Sequence, residues 1–97
     1  MNKYELIVIL RPSDKLDVLK EKVRDILKKN QVVIESDEPW GVRALAYAID
    51  RANDGYYEYF IVQIDPAQVS AIIAEFRLQP DILRYLFVRL PNLSKTA

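Results

Sequence analysis

Apolar residues at Tyr4, Leu6, Val8 and Leu10 alternate with Glu5, Ile7, Ile9 and Arg11. A period of two in aromatic and β-branched residues predicts a buried central strand, and Pro12 ends it. Ser13 or Asp14 can then cap a helix whose apolar stripe is Leu16, Leu19, Val23, Ile26 and Leu27, at helical spacing. The opposite face mixes lysines and Arg24 with Asp17, Glu21 and Asp25, the composition of a solvated surface, and no function is assigned to it. Val32, Val33 and Ile34 open a second extended segment, which Glu35, Asp37, Glu38 and Pro39 interrupt before alternation resumes from Trp40 to Ile49. This predicts a long, bent edge strand.

The stretch from Asp50 to Gly55 ends in an Asp-Gly dipeptide, so a hairpin turn is expected there, with Gly55 supplying a positive φ. A third strand from Tyr56 to Ile64 sets Tyr56, Glu58, Phe60, Val62 and Ile64 on one face and Tyr57, Tyr59, Ile61 and Gln63 on the other. Asp65-Pro66-Ala67-Gln68 is a helix start, with aspartate as cap and proline where no N–H is needed. Val69, Ile72, Ile73 and Phe76 follow on one helical stripe, and Pro80 breaks the run. Ile82 to Leu90 then forms a fourth strand, with Leu86, Val88 and Leu90 against Tyr85, Phe87 and Arg89.

Strand, helix, strand, strand, helix, strand is the order of a split βαβ, ferredoxin-like α+β domain: a four-stranded antiparallel sheet with both helices on one face. Residues 1–90 are expected as a single domain and 91–97 as a polar tail. The uncovered face is expected to carry Ile7, Ile9, Tyr57, Tyr59, Ile61, Tyr85 and Phe87, an apolar surface large enough to call for a covering partner.

Composition narrows the chemistry. The chain has no histidine, no cysteine and two glycines among 97 residues. Zinc centres and imidazole-activated nucleophiles therefore lack their parts, and no glycine-rich loop is present to cradle a phosphate. Glu35, Asp37 and Glu38 could hold a hard cation, but carboxylates beside a hairpin are ordinarily solvated, and no metal or other cofactor is expected. An acylphosphatase-like hydrolase shares the topology but needs an anion loop near its first strand that this sequence lacks. The apolar run from Leu6 to Leu10 is far too short to span a membrane, and the sequence opens without a signal-peptide pattern, so a cytoplasmic protein is expected. Fourteen basic and fourteen acidic residues leave zero net charge, so the broad positive field of a general nucleic-acid binder is missing.

The segment Trp40-Gly41-Val42-Arg43-Ala44-Leu45-Ala46-Tyr47-Ala48-Ile49 resembles the bacterial small-subunit ribosomal protein six family. So do Tyr4-Glu5 with the strand ending Leu10-Arg11-Pro12, the Gly55-Tyr56-Tyr57 start of the third strand, and Leu83 to Arg89. Ala44 and Ala48 depart from it, standing where members commonly carry a second basic residue and a proline; both suit an extended strand. The resemblance implies a non-enzymatic structural protein of the small ribosomal subunit. It would bind the central region of small-subunit (16S) ribosomal RNA together with ribosomal protein eighteen.

Under that reading Lys3, Arg43, Arg84 and Arg89 are candidate rRNA contacts, and Trp40, Tyr47, Tyr57, Tyr59 and Tyr85 are candidates for the partner-protein interface. The rival expectation is a small-ligand-sensing regulatory domain of the same fold, disfavoured by the shortage of glycine-bearing loops. Neutral charge yields a test. The isolated chain should bind small-subunit rRNA poorly at about 0.15 M salt, and ribosomal protein eighteen should restore tight binding. Filter binding reads both, and tight binding by the chain alone would contradict the expectation.

Overall fold

The structure, a computed structural model, describes residues 1–91, so residues 92–97 of the expected tail lie outside the described residues. Strand β1 spans Asn2–Leu10, helix α1 Leu16–Lys29, β2 Val33–Ile49, β3 Ala52–Ile64, α2 Pro66–Arg77 and β4 Ile82–Arg89. The strands form one antiparallel sheet in the order β2-β3-β1-β4, the ferredoxin-like arrangement. Central β1 buries Leu6, Val8 and Leu10 completely, and the matching face of β3 buries Phe60, Val62 and Ile64 beside them. Val23 and Leu27 of α1 and Ile72 and Phe76 of α2 close over that face.

Local chemistry sets the helix ends. Asp65 caps α2 by accepting from the Ala67 N–H at 3.0 Å, with Pro66 at the first helical position. At α1 the expected side-chain cap is displaced: Ser13 Oγ accepts from Lys15 N at 3.1 Å, and the helix starts one turn-residue later, at Leu16, without a side-chain cap. The other end of α1 closes with paired bonds from Val32 N to Leu27 O and from Gln31 N to Lys28 O, with Gln31 at a φ of 62°. This is the helix-terminating motif that glycine usually serves. Lys29 and Asn30 both bind Glu75 at 2.8 Å, joining the end of α1 to α2.

Two expectations are corrected. First, β4 lies with its faces reversed. Its register sets Phe87 opposite Leu6 and Tyr85 opposite Val8, so both rings face the helices, where they pack around Phe76 with centroids 6.3 and 5.6 Å away. Arg84, Leu86 and Val88 take the open face opposite Ile9, Ile7 and Glu5. Both sides of β4 are apolar, so alternation alone does not choose between them; the aromatic side wins because it fills the space beneath α2. Second, the hairpin turns at Asp50-Arg51, with φ of 46° and 67°, and β3 begins at Ala52. Two positive-φ residues in a two-residue loop suit the right-handed twist of the strands, although each costs a non-glycine residue about 1 kcal/mol. Gly55 sits inside β3 for a different reason: a Cβ there would collide with the Ile9 side chain.

The helix face also holds a charge cluster where a solvated surface was expected. Arg24 of α1 reaches across to Asp37 of β2 at 2.8 and 2.9 Å and to Glu58 of β3 at 4.0 Å. Glu58 is only 3% exposed. Burial, reinforced by the adjacent Asp37, pushes its carboxyl up to about 7. Burial pushes Asp37 up too, but hydrogen bonds with Glu58 and Arg24 outweigh it and hold that carboxyl below its usual range. Asp37 Oδ1 and Glu58 Oε1 are both buried without a hydrogen-bond partner.

A carboxyl raised in the folded state contributes stability that is complete below its unfolded value and lost as pH rises through its folded one. On account of Glu58 the domain should therefore lose stability from about pH 4.5 to about pH 7, with the loss levelling off beyond that. Glu58→Gln should leave urea unfolding near pH 5 almost unchanged and stabilise the protein at pH 8 by about 1–3 kcal/mol. Parallel wild-type and variant curves across that range would refute the assignment.

Candidate partner and nucleic-acid interface

The open face is ordered in rows across the strands. Gly41, Tyr57, Ile9 and Arg84 lie in one row, and Glu38, Tyr59, Ile7 and Leu86 in the next. Further along come Ser36, Ile61, Glu5 and Val88. Val33, Gln63 and Lys3 form the last, with Leu90 N donating to Lys3 O at 2.8 Å. Aromatic side chains gather toward β2 and aliphatic ones toward β4, where Leu86 is 55% and Val88 41% exposed.

A bulge builds the aromatic part. Trp40 is the extra residue between the Pro39–Glu58 and Gly41–Tyr57 partners, and Gly41 takes a φ of 85° just after it. The kink swings the indole onto Tyr59, centroids 4.9 Å apart and planes within 10°. Arg43 lies over the same indole at 5.3 Å and beside the Tyr57 ring at 5.9 Å, so its guanidinium is held while its charge stays exposed. Tyr59 donates its hydroxyl to Glu5, and that bond raises the phenol above its ordinary range. Trp40 thus anchors a half-buried surface cluster and is no part of the core.

The remaining candidates are placed unevenly. Tyr47, on the outer half of β2, is 71% exposed. Around it Val42, Ala44, Ala46 and Ala48 are exposed as well, an apolar stretch interrupted only by Arg43. Arg84 and Arg89 are both exposed but on opposite faces of β4, since Arg89 pairs with Tyr4 and Arg84 with Ile9. Lys3 is paired with Glu35 at 3.1 Å; Glu35 also accepts from Gln63, and these two donors hold its carboxyl below the usual range. Tyr85 is not on the open face: its ring packs under α2 and its hydroxyl accepts from Arg77 at 3.2 Å. The four basic residues are therefore not one patch. Arg43 and Arg84 flank the Tyr57–Ile9 row, while Lys3 and Arg89 stand at the other end.

Sequence reasoning missed the Arg24–Asp37–Glu58 cluster and Arg11. A lone carboxylate between Tyr56 and Phe60 on the inward face of β3 was the available signal for the first. Among the described residues no group of histidine, cysteine, aspartate or glutamate side chains is disposed to hold a metal ion, and no helix is long and apolar enough to cross a membrane.

These features define a ferredoxin-like binding domain with an open, aromatic and aliphatic sheet face. A family model described as ribosomal protein S6 matches residues 3–89. The chain is 35% identical to the small ribosomal subunit protein bS6 of Clostridium kluyveri over 92% of this chain and 97% of that one. It is 36% identical to the bS6 of Synechocystis over 93% and 82%. The crystal structure of 30S ribosomal protein S6 from Thermotoga maritima superposes with a TM-score of 0.86 at 26% identity, covering 98% of this chain and 92% of that one. The C-terminal domain of MgtC from Mycobacterium tuberculosis, with a TM-score of 0.61 at 16% identity, shares the fold alone.

The chain belongs to the ribosomal protein S6 family. It is a structural, non-enzymatic component of the small ribosomal subunit, part of the translation machinery of the bacterial cytoplasm. That membership displaces the ligand-sensing alternative.

The bulge at Trp40 depends on a backbone conformation that side chains resist. Gly41→Ala should destabilise the domain by about 1 kcal/mol through φ strain alone, because open space surrounds the added methyl. Chemical denaturation together with the ring-current shifts of Tyr59 would check it; unchanged stability and unchanged shifts would show that Gly41 does not set the stack.

Proposed function

We propose that this protein binds small-subunit (16S) rRNA jointly with ribosomal protein eighteen, which covers part of the open sheet face while basic residues at its margins meet phosphate. The observation that carries this reading is Arg43, a guanidinium already stacked on Trp40 and Tyr57 beside exposed apolar residues. A pre-positioned cation loses little side-chain freedom on meeting phosphate, and an aromatic and aliphatic face gains by exclusion of water beneath a protein partner. Trp40, Tyr47, Tyr57 and Tyr59 belong to the proposed protein contact, and Tyr85 is left out because α2 covers it. Arg84, beside the same row, and Arg89 with Lys3 at the far end are the further phosphate contacts. Lys3 must leave Glu35 to serve, so its share should be the smallest.

Neutral overall charge fits joint binding. A chain with 14 positive and 14 negative residues attracts RNA weakly at long range, and a basic partner can supply the missing field. The test is a salt titration of the three-component complex. Arg43→Gln and Arg84→Gln should each lower the slope of log affinity against log salt by about 1, whereas a rim charge such as Lys22→Gln should not. An unchanged slope in both arginine variants would overturn the phosphate assignment.

A further inference from the structure

Arg11 follows the central strand and was left without a role by composition and motif. Its backbone N–H donates to Asp81 O at 2.8 Å and its Nε to Asp81 Oδ1 at 3.0 Å. Its terminal Nη2 donates to the backbone carbonyl of Asp50 at 3.1 Å. One guanidinium thus joins three places far apart in sequence: the end of β1, the turn entering β4 and the tip of the β2–β3 hairpin. The planar fork of arginine is well suited to hold two acceptors lying in different directions at once.

The tip needs such a hold. Asp50 and Arg51 both take positive φ with no glycine in the turn, and β2 runs from Ala44 to Ile49 without a regular partner while β3 advances only from Asp54 to Ala52. The ladder that would otherwise fix the outer hairpin is interrupted over the residues carrying Ala46, Tyr47 and Ala48, all exposed. A charged donor on the Asp50 carbonyl replaces that missing constraint at the turn itself.

We infer that Arg11 is a positioning residue, a clamp on the hairpin tip that holds the exposed Val42–Ala48 segment in the orientation used for docking. The second half of this statement rests on the proposed joint assembly, whereas the clamp itself does not.

The two can fail separately. Amide hydrogen exchange of the intact free protein tests the clamp. Arg11→Ala should speed exchange across residues 44–54 roughly tenfold, leaving β1 and the Phe60–Val62 stretch of β3 unchanged. Arg11→Lys, able to reach only one acceptor, should fall between. Adding Arg51→Gly to Arg11→Ala should restore slow exchange, because an Asp-Gly turn accepts positive φ unaided. Assembly with ribosomal protein eighteen on a transcript of the 16S rRNA central region tests presentation: Arg11→Ala should weaken it several-fold and Arg51→Gly should recover it. Hairpin exchange untouched by Arg11→Ala would overturn the clamp. Faster exchange with undiminished assembly would overturn presentation while leaving the clamp standing.

Discussion

The register of β1 is the constraint from which the rest follows. It is bonded on both sides, and from Tyr4 to Leu10 its side chains alternate between a buried set and a half-covered one. Because partners directly opposite in an antiparallel ladder share a face, fixing Leu6, Val8 and Leu10 inward decides at once which residues of β3 and β4 look at the helices. The inward set on β3 is apolar except for Glu58, and the aromatic set on β4 closes the space under Phe76. The outward set is then whatever remains, and it includes Ile7, Ile9, Tyr57, Tyr59, Ile61, Leu86 and Val88. The open face is a by-product of core packing, sharpened by one bulge.

Much of this was legible in the sequence because period and punctuation are local. The alternations of β1 and β3, the Asp-Pro start of α2 and the interrupted edge strand each rest on neighbours within a few residues, and each appears as read. What escaped was non-local or ambiguous. In β4 both faces are apolar, and the choice between them belongs to Phe76 across the layer. The Asp-Gly signal at 54–55 pointed to a turn, yet the hairpin ran on to Asp50-Arg51 because Gly55 was wanted where Ile9 crowds the strand. Asp37 and Arg24 read as solvated charges on separate elements, and only the fold brings them to Glu58.

Of the candidate site, membership of the surface was easier to foresee than geometry. Tyr57 and Tyr59 were placed on the open face by alternation and Trp40 in the core or an interface by residue type; the three gather on the open face. That Arg43 would be stacked and Lys3 neutralised by Glu35 depended on a bulge and on β3 bringing β1 and β2 to its two sides. The basic residues therefore differ in readiness. One is presented, one is engaged, and two sit at opposite ends and faces of an edge strand. Charge count alone treats them as equals.

The chain has a single tryptophan, and the bulge has put it at the surface, ring to ring with Tyr59 and beneath a guanidinium. An indole so placed is an optical probe built into the open face. Covering it removes water from one side, and displacing Arg43 alters the field across its plane, so its emission should register association as it happens. The protein can thus be followed through assembly without a label, by the same ring that helps to hold the face in shape.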